Sequence, residues 1–247
     1  MALSAPEIER FSRQIILPSV GGGGQERIMA SRVVIIGCGG LGCPVALGLA
    51  GAGVGSLTLV DDDRIELSNL HRQIAFTQRD VGQPKVEVLG RAVQERSATS
   101  LTLHDERAVG GQLDRLFEGS DLVIDASDNF TTRFAVSDAC VRLDKVLISG
   151  AVSGYSGQLL AQKPGGKPCY RCLFEAEPEQ ARSCDADGVL PGAVLSVAGM
   201  MVQWALLAAM QRPELPFGKL LQGDLMTGVW RPLTIPMRPD CICSGSK

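Results

Sequence analysis

Residues 33–42 read VVIIGCGGLG, and this stretch decides the fold. A run of branched apolar residues that stops at a glycine is typical of a buried parallel strand followed by a tight turn. The loop glycines Gly37, Gly39, Gly40 and Gly42 let backbone N–H groups approach a phosphate at the start of the next helix, where the helix dipole favours negative charge. The stretch therefore predicts a nucleotide-binding strand–loop–helix unit.

Strand-like apolar runs recur after this unit, with helix-length stretches between most of them. The runs lie at residues 57–61, 101–104, 122–125 and 146–150. Such alternation predicts a Rossmann-like α/β fold with a mostly parallel sheet that is covered by helices. Upstream, residues 21–24 are all glycine and are expected to form a flexible joint before a short helix at residues 25–30.

The pattern changes after Gly150. Glycine-rich extended segments, a cysteine pair, a polar stretch, an apolar helix and two strands near Leu220 and Val229 follow. We expect these strands to continue the same sheet in antiparallel fashion, and residues 1–247 to form one domain. The apolar stretch at residues 194–210 contains Gln203, so it predicts a buried helix rather than a membrane span.

Charge and cysteine usage exclude several classes of protein. A net charge of −3 provides no broad basic field for nucleic acid or an anionic membrane. The first ten residues lack the apolar core of a signal peptide. Four of the eight cysteines form two close pairs, which favours metal binding in a reducing compartment over disulfides. We therefore expect a cytoplasmic protein.

An acid follows the second strand at the spacing that nucleotide-binding folds use. Asp61 stands nineteen residues after Gly42, where a dinucleotide fold holds a ribose hydroxyl. Taken alone, this pair of signals is that of an NAD-dependent oxidoreductase, and a tight turn without a ligand is the plain structural alternative. The chain has no Gly-Lys-Ser/Thr motif, which excludes a P-loop NTPase.

A downstream set of polar and charged residues has no use in a dehydrogenase. The set is Asn69, Arg72, Lys85, Asp128 and Asn129. Asp128 and Asn129 follow a strand and should lie at the edge where open α/β sheets bind ligands. Each residue has a simpler interpretation, with the cations as surface charges, Asn69 in a turn and Asp128 as a helix N-cap. We do not expect all of these simpler interpretations to be correct at once.

The ordered motifs of the chain resemble the ThiF/MoeB (HesA) family of ubiquitin-activating-type adenylyltransferases. The resemblance covers nearly the whole chain and lies in FSRQ at 11–14, the glycine loop, LVDDD at 59–63, SNLHRQ at 68–73, GQPK at 82–85, DASDN at 125–129 and CYRC at 169–172. It implies an enzyme that uses ATP and Mg²⁺ to adenylate the C-terminal glycine of a ThiS- or MoaD-like, ubiquitin-like sulfur carrier. A cysteine desulfurase or rhodanese would donate the sulfur, and the thiamine pathway, the molybdopterin pathway and one to another thiolated product all stay open.

The same resemblance implies the residues of the site. Those expected to bind the nucleotide are Gly37, Gly39, Gly40, Gly42, Asp61, Asp63, Asn69, Arg72, Gln73, Lys85, Asp128 and Asn129. Asp61 would hold the ribose, Asn69, Arg72 and Lys85 would face the phosphates, and Asp128 would bind Mg²⁺. In the family, the arginine that matches Arg13 reaches into the partner subunit's site, which implies a homodimer. The nucleotide half is expected at about residues 30–150, and the carrier- and zinc-binding half at about 151–247.

The paired cysteines predict a structural zinc site. Cys169 and Cys172 have the spacing of one zinc knuckle, and Cys241 with Cys243 would complete a Cys₄ shell. The resemblance implies a second Cys-x-x-Cys pair, but this chain has Cys-x-Cys, which strains the usual knuckle turn and leaves the fourth ligand open. Unmetallated thiols or a disulfide are the alternatives.

A lone thiol completes the predicted catalytic set of Arg13, Arg72, Lys85, Asp128 and Cys184. Cys184 lies in a polar, loop-like segment, and in ThiF-like members a matching cysteine can link covalently to the activated carrier. In MoeB-like members it is dispensable for adenylation. Cys38, Cys43 and Cys140 stand in apolar contexts and are expected to be buried structural residues.

Overall fold

The computed structural model describes residues 3–177 and 188–245. Its strands are β1 (Arg32–Ile36), β2 (Ser56–Val60), β3 (Ser100–His104), β4 (Leu122–Asp125), β5 (Val146–Ser153), β6 (Ser156–Gln162), β7 (Lys219–Asp224) and β8 (Val229–Thr234). They form one eight-stranded sheet in the order β3-β2-β1-β4-β5-β6-β7-β8. The strands from β3 to β5 in this order pair in parallel. Strand β5 then pairs antiparallel with β6, and β6, β7 and β8 continue in antiparallel fashion. The expected parallel sheet with an antiparallel continuation is thereby confirmed.

Helices cover the sheet. They are α1 (Ala5–Ile15), α2 (Gly21–Ala30), α3 (Gly42–Ala52), α4 (Lys85–Gln94), α5 (Gln112–Phe117), α6 (Phe130–Arg142), α7 (Tyr170–Leu173) and α8 (Pro191–Ala209). The largest core cluster joins α3, α4 and α8 to the sheet, and a second cluster joins α5 and α6 to it. A third, smaller cluster surrounds the four paired cysteines.

The strand order places a crevice between β1 and β4. The chain after β1 crosses to β2 on one side, whereas β4 pairs on the other side of β1. Open α/β sheets bind ligands at such a switch point, beyond the carboxyl ends of the strands. The glycine loop follows β1 and the DASDN segment begins at the end of β4, so both meet at this crevice.

Helix α8 is the helix predicted from residues 194–210. Its 19 residues are long and apolar enough to cross a membrane by length and composition alone. However, α8 packs on β5, β6 and α3, and Val197, Ala198 and Met201 are fully buried there. A Cβ atom on Gly150 of β5 would lie 2.3 Å from the Met201 sulfur, so a larger residue there would force the buried Met201 side chain to shift. These contacts identify α8 as a core helix.

The expectation of a flexible joint at residues 21–24 is wrong. These glycines form the first turns of α2, which runs from Gly21 to Ala30. Glycine is a poor helix former by about 1 kcal/mol per residue, but packing compensates here. Gly24 is buried, and a Cβ atom on it would lie 3.1 Å from the Met210 sulfur. Close approach of α2 to the end of α8 therefore overrides local propensity.

Candidate active site

The glycine loop turns sharply between β1 and α3. Gly37 has φ +92°, and a Cβ atom on it would lie 2.8 Å from the Ala126 carbonyl oxygen. A Cβ atom on Gly42 would lie 1.8 Å from the Gly37 carbonyl oxygen. These two glycines are therefore required by the turn itself. At Gly39 the nearest atom to an added Cβ is 3.6 Å away, on Gln73, so this part of the loop faces open space.

Asp61 closes the loop from the end of β2. Its carboxylate accepts hydrogen bonds from the backbone N–H of Cys38 at 2.6 Å and of Asp63 at 2.8 Å. Burial raises the pKa of Asp61 above its ordinary value, and the nearby charge of Lys85 opposes this rise. Asp61 thus fixes the backbone of the glycine loop in addition to any contact with a nucleotide.

Lys85 begins α4, and its amine lies near the acids that follow β2. Its side chain is 8% exposed, and its Nζ lies 2.7 Å from Asp63 Oδ2. Burial lowers the pKa of Lys85, but Asp61, Asp63 and Asp128 raise it by more, so the net shift is upward. The amine therefore stays charged at neutral pH. Its backbone N–H also donates to the Asp63 carbonyl at 3.1 Å.

The SNLHRQ segment forms the opposite wall of the crevice. Asn69 Oδ1 accepts a hydrogen bond from Gln73 Nε2 at 2.6 Å. Gln73 is 2% exposed, and its Oε1 is buried without a hydrogen-bond partner among the described residues. Burying an unpaired polar atom costs about 1–3 kcal/mol. An acceptor left unpaired in the cavity wall fits a site that receives a ligand donor.

The DASDN segment leaves Asp128 facing the crevice. The N-cap of α6 is Asn129, whose Oδ1 accepts from the Thr132 N–H at 2.8 Å. The alternative that Asp128 caps this helix is therefore wrong, because the next residue takes that position. Asp128 is exposed, and its Oδ1 accepts a 3.4 Å hydrogen bond from Asn129 Nδ2. Its carboxylate remains accessible to a cation, which fits a Mg²⁺ ligand.

A cavity of about 850 Å³ collects these residues. Of the residues predicted to bind the nucleotide, it is lined by Gly37, Gly39, Gly40, Asp61, Asp63, Asn69, Arg72, Gln73, Lys85, Asp128 and Asn129. Gly42 lies beneath the loop and does not line this cavity. Arg13 is exposed on α1 and is also not part of the lining. Cys184 lies outside the described residues.

The cavity also contains residues that the sequence analysis did not predict. Arg133 is 7% exposed and lines the cavity from the second turn of α6. It stands four residues after Asn129, so helical periodicity places the two on one face and could have identified it. Arg107 and Ala108 line the cavity from the segment after β3. That segment has no motif, and only the strand order brings it to the site.

The four paired cysteines converge at the antiparallel end of the sheet. The sulfur atoms of Cys169 and Cys241 lie 3.3 Å apart, and those of Cys172 and Cys243 lie 3.5 Å apart. All four sulfur atoms lie within 4.8 Å of one another, and all four residues are buried. Tetrahedral zinc with bonds of about 2.3 Å requires sulfur separations of about 3.8 Å, and a disulfide requires about 2.05 Å. The cluster fits a zinc ion, and the Cys-x-Cys spacing does not prevent closure.

The three cysteines that were predicted to be buried structural residues follow that prediction. Cys38, Cys43 and Cys140 are buried free thiols. Burial raises the pKa of all three above the ordinary thiol value. They are therefore protonated and unreactive at neutral pH, as expected for structural residues.

Fold and site together define a nucleotide-binding α/β protein with cations and acids gathered at a glycine loop. The ThiF family profile matches residues 11–244, and the chain belongs to this family. A relative from Escherichia coli (strain K12), "Sulfur carrier protein ThiS adenylyltransferase", is 40% identical over 240 residues, which are 96% of this chain and 95% of that protein. "Adenylyltransferase and sulfurtransferase MOCS3" from Bos taurus is 42% identical over 252 residues, and the chain spans 55% of its length.

Solved structures agree on the fold. The crystal structure of E. coli MccB with MccA-N7isoASN superposes with a TM-score of 0.85 at 22% identity, covering 99% of this chain and 76% of that chain. At this identity the likeness concerns the fold alone.

Proposed function

We propose that this enzyme adenylates the C-terminal carboxylate of a ubiquitin-like sulfur-carrier protein with ATP and releases pyrophosphate. The observation that carries the proposal is the convergence of Arg72, Lys85 and Asp128 with the glycine loop in one cavity. The named relatives are adenylyltransferases. They give the alternative of an NAD-dependent oxidoreductase no support, and that alternative leaves the cations without a role.

The reaction joins two anions. A carboxylate oxygen of the carrier attacks the α-phosphorus of ATP, the new C–O–P bond forms, and the bond from that phosphorus to the bridging oxygen of pyrophosphate breaks. A C-terminal carboxylate has a pKa of about 3.5 and is already ionised, so no general base is needed. The site has to supply alignment and positive charge, as phosphoryl-transfer sites do.

The residues of the cavity divide this work. Backbone N–H groups of the glycine loop would donate hydrogen bonds to phosphate oxygens at the start of α3. Lys85 is held 2.7 Å from Asp63, so its charge is already in place before ATP arrives. Arg72 lines the cavity from the opposite wall and offers a planar fork for phosphate oxygens. Charges that are preorganised in this way are worth more than mobile ones.

Asp128 is the residue that would hold Mg²⁺, with Asn129 beside it. The ion would supply charge neutralisation of the phosphates when it is bound. The carboxylate is exposed to the cavity, and oxygen ligands are those that Mg²⁺ prefers. Asn129 is fixed as the cap of α6, so the loop that presents Asp128 is anchored at its helical end.

Arg13 and the oligomeric state belong together in the proposal. Arg13 lies on the exposed side of α1 and not in the cavity lining, where it is accessible to a second copy of the chain. We infer a homodimer in which each subunit contributes Arg13 to the other site. We assign the enzyme to the cytoplasm, which agrees with its buried free thiols.

The antiparallel half would bind zinc and the carrier, and the parallel half the nucleotide, in one adenylyltransferase domain. Zinc would be structural, because a closed Cys₄ shell leaves no position for substrate. The carrier serves thiamine or molybdopterin synthesis, since the ThiS-type and MOCS3-type relatives are similarly close at 40% and 42% identity. A cysteine desulfurase or rhodanese would supply the sulfur, and Cys184, which lies outside the described residues, would form any covalent link to the carrier.

ATP–pyrophosphate exchange tests the proposal. The enzyme is incubated with Mg²⁺, ATP and labelled pyrophosphate, with a β-grasp carrier that ends in Gly-Gly and with the same carrier lacking its last glycine. We expect exchange with the intact carrier only. Folded enzyme that catalyses no exchange with either a ThiS-like or a MoaD-like carrier, yet binds NADH saturably, would move the assignment to an oxidoreductase.

A further inference from the structure

The segment that presents Asp128 is held by groups on both of its sides. On the sheet side, the buried Asp125 accepts hydrogen bonds from Ser127 N–H at 3.1 Å and from Ser127 Oγ at 2.6 Å. The other oxygen of Asp125 accepts from Ser149 Oγ of β5 at 2.7 Å. On the helix side, Arg133 donates from Nη2 and Nε to the Ser127 carbonyl at 2.9 and 3.3 Å. The residue immediately before Asp128 is therefore fixed at both its amide and its carbonyl.

Arg133 is itself held by an aromatic partner. Its guanidinium lies 5.7 Å from the Phe130 ring centroid, which in turn lies 6.4 Å from the Tyr170 ring centroid, and its charge acts on the Tyr170 hydroxyl. Both Arg133 and Tyr170 are buried, and they line one small cavity. A buried guanidinium needs such partners, because an unsatisfied buried charge is costly. Phe130 and Tyr170 therefore pack beside the Arg133 fork.

Tyr170 belongs to the cysteine cluster by sequence and by hydrogen bonding. It stands between Cys169 and Cys172 at the start of α7. Its backbone N–H donates to Gln162 Oε1 at 3.2 Å and to Ser137 Oγ at 3.3 Å. Ser137 in turn donates to Gln162 at 2.7 Å, and both residues are fully buried. This network fixes the first turn of the knuckle against α6 and β6.

Two further contacts attach α7 to α6. Arg171 forms a bidentate ion pair with Asp138, with Nε–Oδ1 and Nη2–Oδ2 distances of 2.7 Å. The ring of Tyr170 lies 5.3 Å from that of Phe134, at an interplanar angle of 74°, which is a favourable edge arrangement. The orientation of the Tyr170 hydroxyl thus follows from the position of α7, which the cysteine cluster fixes.

We propose that Arg133 and Tyr170 are positioning residues that couple the cysteine cluster to Asp128. Contacts run from the cysteines through Tyr170 and Arg133 to the Ser127 carbonyl, one residue before the carboxylate. The catalytic importance of this path rests on the proposed adenylation, since it assumes that Asp128 serves that reaction. The structural path does not depend on that assumption. The cysteine cluster then acts on the active site as well as on the stability of the domain.

The chemistry of the two side chains makes the proposal specific. Arg133 places two N–H groups of one planar fork on a single carbonyl, which a lysine cannot reproduce. Tyr170→Phe removes only the hydroxyl near the guanidinium and keeps the ring packing with Phe134. Arg133→Gln removes the charge and the fork. Arg142→Gln is the matched control, since Arg142 stands on the same helix but pairs with Asp114 at the surface.

Hydrogen–deuterium exchange of the protein without ATP tests the structural path. Loss of a charged hydrogen bond should speed exchange in peptides covering residues 125–132 about tenfold in Arg133→Gln. A smaller increase is expected in Tyr170→Phe, where the fork keeps its bonds to the Ser127 carbonyl but loses the neighbouring hydroxyl. Peptides of β1 and the zinc content should not change, and Arg142→Gln should match the wild type. Unchanged exchange at residues 125–132 in a folded Tyr170→Phe or Arg133→Gln protein overturns the proposal.

The dependence of ATP–pyrophosphate exchange on Mg²⁺ tests the catalytic consequence. A loosened Asp128 should raise the Mg²⁺ concentration at half-maximal rate severalfold in both variants. The KM for the carrier should stay the same, and Arg133→Lys should recover only part of the effect. An inactive wild type would refute the adenylation reaction, and the path would then be decided by deuterium exchange alone. An active wild type with unchanged Mg²⁺ profiles in both variants would refute the coupling.

Discussion

Lys85→Met tests whether the cation at the start of α4 stabilises the transition state. Methionine keeps the length and volume of the buried lysine stem, so the substitution removes the charge and little packing. Lys85 is 8% exposed and held 2.7 Å from Asp63, which makes it a preorganised charge. Removing such a group costs about 3 kcal/mol, or about a hundredfold in kcat/KM.

A second effect of the same substitution follows from Asp61. Lys85 lowers the pKa of this carboxyl, which burial raises. Without the amine, the pKa of Asp61 rises further, and the acidic limb of ATP binding moves to higher pH. Both effects come from one charge, so they should appear together.

The assay is steady-state pyrophosphate release with carrier, together with ATP binding by calorimetry between pH 5 and 8. Lys145→Met is the control, because Lys145 is also partly buried but donates to the Ser120 carbonyl, away from the cavity. Lys85→Met protein that is folded and retains more than a third of the wild-type kcat/KM, with an unchanged acidic limb, would refute the reasoning.

Three further predictions concern the cap, an ion pair and the cysteines. Asn129→Ala should lower the free energy of unfolding by about 1 kcal/mol through loss of the α6 cap, and Asn129→Ser should restore it in urea titrations; equal stability of the two variants would contradict the cap. Burial raises the pKa of Asp121, but hydrogen bonds from Arg32 lower it by more. Asp121→Asn should therefore cost up to about 1 kcal/mol, given the exposure of the pair. This difference should hold above about pH 4 and disappear as acid protonates the wild-type carboxylate, and a pH-independent difference would contradict it. Cys243→Ser should lower the zinc content measured by elemental analysis, and wild-type protein purified without chelator that contains no zinc would reject the site.

Local sequence patterns were sufficient to predict the parallel half of the sheet. Strands β1 and β4 have the nearly continuous burial of a covered parallel sheet, whereas the edge strand β3 has no buried residue. Strand β4 begins and ends at the predicted residues. Strand β5 is longer than expected and runs to Ser153, because it pairs with β6 in a hairpin after Gly150. The composition changes at Gly150, but the strand continues through it.

Long-range contacts account for what the sequence did not predict. The helix at Gly21 exists because Gly24 lets α2 approach Met210, which is distant in sequence. Spacing alone could not decide whether Asp128 or Asn129 caps α6, since both residue types cap helices. The structure gives the cap to Asn129. Arg133 was missed because it belongs to no motif, and its neighbour Tyr170 comes from another part of the chain.

The cysteine cluster shows the same limit. A Cys-x-Cys pair has a shorter span than a zinc knuckle, and the sequence alone left its fourth ligand open. In the structure, the chain after β8 brings Cys241 and Cys243 to opposite members of the first pair. Closure therefore depends on the path of the incoming chain and not on the spacing within the pair.

Transfer of label from ATP tests the central claim most directly. The enzyme, Mg²⁺ and a carrier ending in Gly-Gly are incubated in parallel with ATP labelled at the α-phosphate and with ATP labelled at the γ-phosphate. The account predicts that the α-label appears on the carrier and that the γ-label appears in pyrophosphate. With a carrier that lacks its last glycine, neither labelled product should form. Transfer of the γ-label to the carrier, or carrier-independent release of phosphate without any labelled carrier, would contradict it.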